Sequence, residues 1–184
     1  FDVALAQLTY PAAWYMNAGF VTDRIARSAH PSTVPCQLVK CADGWLFVMC
    51  MTQKFWQRLC TGLEHPEWLN DTRFNSAESR LENRDQLSEL LDTAFSTNTS
   101  DHWLTKFQGK LPISPVRTLP QALDNPFTET VDMVENVTNS EGAALRLVSN
   151  PVQINGKRLP RKLCSTLSAD TTALLNEVGY STKQ

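Results

Sequence analysis

The sequence predicts an α+β chain: a β-hairpin accompanied by several helices, flanked by segments of a different texture. Three observations carry that expectation. Two β-rich runs, "PCQLVKC" (35–41) and "WLFVMCM" (45–51), are separated by Ala42-Asp43-Gly44, and Asp-Gly between such runs is a strong short-range hairpin signal. Apolar residues then recur at helical spacing through three stretches between 52 and 109. From about residue 127 the pattern changes to short strands and turns, closed by one last helical stretch.

Taken in order, residues 4–19 place Leu5, Leu8, Ala12, Tyr15 and Met16 at i, i+3, i+7 spacing, a helix that Pro11 kinks or restarts and Gly19 stops. Residues 21–34 are polar, contain Arg24 and Arg27, reach Pro31 and read as a linker. Neither face of the hairpin is cleanly polar, which predicts cover on both sides. Thr52 is placed to cap the next helix, with Phe55, Leu59 and Leu63 in one stripe and Trp56 and Cys60 beside it; Gly62 and the "HPEW" turn end it. A second helix follows with Asn83 as its cap and Leu87, Leu90, Leu91, Ala94 and Phe95 on one face. A third starts at a Ser100 cap, turns Trp103, Leu104 and Phe107 inward and stops at Gly109. "PISPVRT" is a short extended piece, and "LPQALDNP" a two-turn helix ended before Pro126. The terminal helix is expected to be capped at Ser168 and ended at Gly179.

The totals narrow the function classes. With 184 residues, 42% of them hydrophobic, the chain can bury a real core, hiding roughly two-thirds of its unfolded surface. The net charge of −2 and the lack of a basic run argue against nucleic acid or a membrane surface as partner. No apolar run approaches the roughly 18 residues of a spanning helix. The five cysteines, Cys36, Cys41, Cys50, Cys60 and Cys164, are odd in number and show no CxxC spacing, so buried reduced thiols in a cytoplasmic protein are the expectation. Sequons at Asn70, Asn98 and Asn136 would matter only in a secreted protein. The opening "FDVALAQLTYPAAWYMNAG" reads like the interior of a protein, which suggests a fragment.

The ordered stretches together resemble the C-terminal half of class III CoA-transferases, the CaiB/BaiF family, which includes formyl-CoA and carnitine-CoA transferases and α-methylacyl-CoA racemase. The matching pieces are "FDVALAQ", "RIARSAHPSTVPCQLVKCADGWLFV", "FWQRLCTGLEHPEWLNDTRFNSAESRLENRDQL" with its D-x-R-F and Arg-x-x-Asn-Arg, "PISPVRTLPQALDNP", "EGAALRLVSNPVQING" and "LLNEVGYS". The resemblance implies segments of a larger Rossmann-like α/β domain around a small inserted domain, in chains that interlock as dimers. It implies transfer of CoA between an acyl-CoA and a carboxylic acid through an aspartate nucleophile, with no covalently bound cofactor. That aspartate belongs to the family's upstream half, so no catalytic residue can be assigned here; Asp2 fits a structural position.

On this resemblance residues 1–24 are a helical segment of the large domain, 25–34 a tether, 35–125 the small domain and 126–184 the C-terminal return. The tether lies near the active-site mouth in the family, which makes Arg27 and His30 the substrate-channel candidates. A carboxylate or a CoA phosphate would suit Arg27, and His30 could contact an acyl-CoA or move a proton. The commoner roles are a salt bridge for Arg27 and a single structural hydrogen bond for His30. His65 and His102 read as surface residues with no second metal ligand one turn away, so no metal site is expected. Two departures stand out: "RIARSAHPST" lacks the glycine loop of some transferases, and "LPRKLCSTLSADT" has Asp170 where the family carries a histidine. The resemblance leaves three readings: a C-terminal part inactive alone, with weak or absent acyl-CoA binding; a binding or oligomerisation module; or one half of a split transferase.

Overall fold

The computed structural model describes residues 1–139, 141–159 and 163–180. Ser140 of the "NSEGA" turn, residues 160–162 of the departing tail run and Ser181 lie outside the described residues. The chain forms two compact units, Phe1–Val116 and Arg117–Gln184.

The first unit opens with α1 (Asp2–Ala6) and α2 (Thr9–Ala18), with Pro11 inside the first turn of α2, where its missing N–H has no helical partner to lose. Gly19 ends α2 at φ 65°. A polar tether with one 3₁₀ turn (Ala26–Ser28) leads to β1 (Cys36–Cys41) and β2 (Gly44–Met49). Then come α3 (Gln53–Gly62), a 3₁₀ turn at Pro66–Leu69, α4 (Ala77–Glu82), α5 (Arg84–Phe95), α6 (Ser100–Phe107) and β3 (Ile113–Pro115). The three strands form one antiparallel sheet in the order β1-β2-β3.

Register follows from the closing pair Cys41↔Gly44, which leaves Ala42 and Asp43 as a two-residue loop. Gly44 is not in the left-handed region. The Asp-Gly signal therefore finds the hairpin without supplying the turn geometry for which glycine is usually chosen. Asp43 does other work: its carboxylate accepts from the Ser100 N–H at 2.7 Å and from Ser100 Oγ at 3.0 Å, tying the hairpin tip to the start of α6. One sheet face, Gln37, Val39, Cys41, Leu46 and Val48, is buried. The other buries Cys36, half covers Leu38, Phe47 and Met49 and exposes Lys40 and Trp45, so the expected cover is full on one side and partial on the other.

The helices refine the sequence reading. Thr52 caps α3 as expected, accepting from the Phe55 N–H. Asn83 stands at the cap position of α5, as expected, but its side chain donates to the Ser79 carbonyl and bonds no first-turn N–H, and a further short helix, α4, precedes it. Ser76 and Ser79 form a reciprocal capping box at the start of α4. The cap of α6 is Thr99 and not Ser100. Trp56, Leu59, Phe74, Leu87, Leu91, Phe95, Trp103 and Phe107 meet beneath the sheet as one core. Inside it Arg80 is 3% exposed. Its Nε donates to the Val34 carbonyl at 3.0 Å, and Nη1 donates to the Phe74 carbonyl at 2.9 Å and to Gln53 Oε1 at 3.1 Å. The guanidinium carbon lies 5.0 Å from the centre of the Trp56 ring.

The second unit contains α7 (Leu119–Leu123), α8 (Pro126–Thr130), the hairpin β4 (Val134–Thr138) with β5 (Ala144–Val148), the small hairpin β6 (Gln153–Ile154) with β7 (Lys157–Arg158), and α9 (Thr171–Glu177). Asn155 at φ 52° and Gly156 at φ 75° link β6 to β7, the primed two-residue turn that matches strand twist. Asp170, not Ser168, occupies the cap position of α9; Ser168 sits in the left-handed region. No apolar side chain of this unit is fully buried among the described residues, and Phe127, Ile154, Val178 and Tyr180 stand exposed.

Two outcomes follow. Replacing Arg80 by Met takes the donor from two buried carbonyls, Val34 and Phe74, and is expected to lower stability in urea unfolding by about 3 kcal/mol. Lys at this position restores only part, because an ammonium cannot reach the same acceptors from one plane. Asp43 titrates below the ordinary aspartate range, chiefly because the Ser100 N–H holds its charged form. Its contribution is complete above the unfolded pKa and fades as pH falls through the lower folded value. Thermal melts of wild type and Asp43→Ala should therefore differ at neutral pH and converge in acid.

Candidate functional site

The tether candidates are held by α5. Residues 84, 88, 92 and 96 recur every fourth position, so they line one side of that helix. Arg84 Nη2 donates to the His30 carbonyl at 2.8 Å and the Pro31 carbonyl at 3.1 Å. Ser88 Oγ accepts from Gln37 Nε2 at 2.8 Å. Asp92 pairs through Oδ2 with Arg27 and accepts through Oδ1 from the Lys40 N–H at 3.0 Å. Ser96 Oγ donates to the Lys40 carbonyl at 3.2 Å. The apolar side of the same helix, Leu87, Leu91 and Phe95, enters the core.

Arg27 thus sits with its charge engaged, about a quarter exposed at its side chain. Its backbone lies at φ 62° and that of Ser28 at φ 49°, two consecutive non-glycine residues in the left-handed region. The His30 N–H donates to the Cys36 carbonyl at 2.9 Å, and its ring Nδ1 accepts from the Ser32 N–H at 3.2 Å. The ring lies near two aromatic rings of α2, with centroids 6.2 Å from Tyr10 and 6.1 Å from Trp14. Both candidates are therefore pinned to the same helix, Arg27 by its side chain and His30 by its backbone. Arg84 Nη1 is buried without an acceptor.

The buried thiols offer no nucleophile. Burial pushes Cys41 up to about 11 and Cys60 to about 12, and raises Cys50 further still. At Cys36 burial outweighs the nearby Arg84 charge. They stay protonated at neutral pH, and the thiolate is the reactive form. Burial lowers Arg80 and Arg84 too, yet guanidinium starts so high that both remain charged. His65 and His102 are not brought to the tether; His65 Nδ1 lies 2.7 Å from Glu67 Oε1. Among the described residues no group of three or more His, Cys, Asp or Glu could hold a metal ion, and no helix is long and apolar enough to cross a membrane.

Arg80, Arg84 and Asp92 were not picked out as partners from the sequence. The signal was present: a polar residue every fourth position beside an apolar stripe, and the Arg-x-x-Asn-Arg run itself.

A sheet closed by a short third strand, helices beneath it, and a tether strapped to the central helix define a small α+β module. Comparison with known proteins places that module. The sequence pattern of CoA-transferase family III matches residues 1–166, and the chain belongs to that family. An acyl-CoA transferase of Fusarium pseudograminearum is 26% identical over 97% of this chain and 40% of its own length. The acetyl-CoA:oxalate CoA-transferase of Acetobacter aceti is 26% identical over 85% of this chain and 39% of its own length. The crystal structure of a CaiB/BaiF family protein from Brucella suis superposes with a TM-score of 0.75 at 23% identity, covering 97% of this chain and 46% of that one, a likeness of fold. The chain spans about 40% of the length of the first of these relatives.

The geometry ranks two variants. Asp92→Ala removes the partner of Arg27 and the acceptor of the Lys40 N–H together, and is expected to cost about 1–2 kcal/mol. Arg27→Ala leaves the Lys40 bond intact and should cost less. Hydrogen exchange should quicken at the Lys40 amide in the first variant only.

Proposed function

We propose that this chain is the C-terminal, small-domain part of a family III CoA-transferase and is inactive alone. In this reading it works beside polypeptide that carries the nucleophilic carboxylate, and the complete site moves CoA from an acyl-CoA to a carboxylic acid. The observation that carries the proposal is the distribution of burial. Every fully buried apolar side chain among the described residues lies between Val34 and Leu111. The flanks are apolar but uncovered: Phe1, Val3, Tyr15, Met16 and Val21 on one side, Phe127, Val152, Leu174 and Val178 on the other. Large apolar side chains left exposed in such number point to surface that a partner covers. The tether, with Arg27 and His30, supplies donors at the channel mouth, and its fastening to α5 keeps them in place.

Several relatives bear the names of transferases acting on oxalate, mesaconate and glutarate. A dicarboxylate acceptor is therefore the first class to try. The test mixes the chain with a separately produced upstream part of a family relative and follows CoA transfer from succinyl-CoA to oxalate or glutarate. No transfer by the chain alone and transfer by the mixture is the expected result. Transfer by the chain alone at the rate of a full-length relative would overturn the proposal.

A second reading, an assembly module without chemistry of its own, rests on the same exposed α1 and α2 and predicts self-association. Sedimentation of the isolated chain as a monomer at high concentration, without binding of an apolar dye, would count against it.

A further inference from the structure

Lys54 and Arg58 stand four residues apart on α3, and Lys106 and Lys110 four apart on α6 and the turn after it. All four line one groove of about 620 Å³, together with the neutral donors Gln57 and Thr61, and no acidic residue lines it. Gly62 and Phe107 also line it and touch: a Cβ on Gly62 would lie 2.2 Å from Phe107 Cε1. Only glycine lets α3 come this near, so the cations rise as two walls beside a narrow apolar base.

These charges are poorly compensated for a chain of net charge −2. Lys106 pairs with Glu64 at 2.8 Å. Lys54 has no hydrogen bond or ion pair among the described residues. Arg58 Nη1 donates to the Lys110 carbonyl at 2.8 Å, and Lys110 Nζ donates to the Lys106 carbonyl at 2.9 Å; neither meets a carboxylate. Lys54 and Arg58, like charges four residues apart on α3, repel each other, and Lys106 and Lys110 add two more cations to the same groove. The Arg58 contact joins the two segments and the Lys110 contact holds that side chain along its own, so part of the ordering needed to bind an anion is already done.

We propose that this groove binds a small anion carrying two or three linked phosphates. Lys54 and Arg58 stand about one helical turn, ~5.4 Å, apart along α3, and with Lys106 and Lys110 on the same groove they call for negative charge spread over a similar length. A single carboxylate would meet one pair and leave the other. Arg58 offers a fork of donors, the lysines act as point charges, and Gln57 and Thr61 can donate to bridging or terminal oxygens. Two sources share this chemistry, a free oligophosphate or nucleotide and the diphosphate of a CoA molecule.

Calorimetric titration of the 184-residue chain with inorganic tripolyphosphate, ATP and CoA tests the assignment. Tripolyphosphate should bind, and bind more weakly as salt rises. The double variant Lys54→Glu with Lys110→Glu should bind at least about tenfold more weakly, since two attractions become repulsions. Lys54→Glu alone, which breaks no bond in the structure, should shift affinity in the same direction with the circular dichroism spectrum unchanged. ATP following tripolyphosphate supports a free oligophosphate; CoA binding more tightly than both, and lost in the same variants, supports the CoA diphosphate. No binding of any of the three, or binding that survives the double variant, overturns the proposal.

Discussion

The first unit depends on one buried guanidinium. Arg80 reaches the end of the tether at Val34, the start of α3 at Gln53 and the loop before α4 at Phe74, and lies over Trp56. Val34, the start of α3 and Phe74 are about 20 residues apart from one to the next in sequence, and no sheet or helix joins them. A charge taken out of water is expensive unless every donor finds an acceptor. Here two carbonyl oxygens and one amide oxygen accept from Nε and Nη1, and an aromatic face meets the cation, all without an acid. Cys50 and Cys60 feel the same charge, which by itself would favour their thiolates. Desolvation is the larger effect, the thiols stay neutral, and the guanidinium keeps its carbonyl partners.

Helix α5 carries the second layer of organisation. Its apolar side enters the core while Arg84, Ser88, Asp92 and Ser96 meet the tether and β1 in turn. Since these bonds recur at the helical repeat, they set both the height of β1 along the helix and the course of residues 27–31. The buried Gln37–Ser88 contact matters most for register: a one-residue slip of the strand would move Gln37 to the other face and leave a polar group unsatisfied. The proposed channel groups thus inherit their positions from a rigid element, although they lie on a connecting segment.

Most elements were legible because they arise from local rules. The hairpin, the Thr52 cap, the stripes at 55–63 and 87–95 and the Gly19 stop need only periodicity and capping chemistry. The misses have physical causes. Asp43-Gly44 looks like the turn-maker, yet Gly44 is a strand residue and Asp43 serves α6, a contact across 57 positions that no local pattern records. The turn that does use left-handed geometry, Asn155-Gly156, was passed over because its strands are two residues long. Asn83 does hold the cap position of α5, yet its Nδ2 bonds back to the Ser79 carbonyl of α4 and its side chain accepts from no first-turn N–H, a detail that position alone does not foretell. At the tether the sequence singles out Arg27 and His30, while the residues that hold them lie more than 50 positions away on a helix read mainly for its apolar side.

The left-handed pair Arg27-Ser28 ties the evolution of two distant positions together. An L residue in this conformation is disfavoured by roughly 1–2 kcal/mol, which glycine would relieve. Glycine at 27 would also remove the cation that Asp92 meets. The chain holds the strained arginine and keeps the pair. Among lineages, then, a glycine at 27 should travel with a neutral or re-partnered residue at 92, and an arginine at 27 with an acid there. Drift at either position alone is the rarer path, because each residue sets what its partner can become.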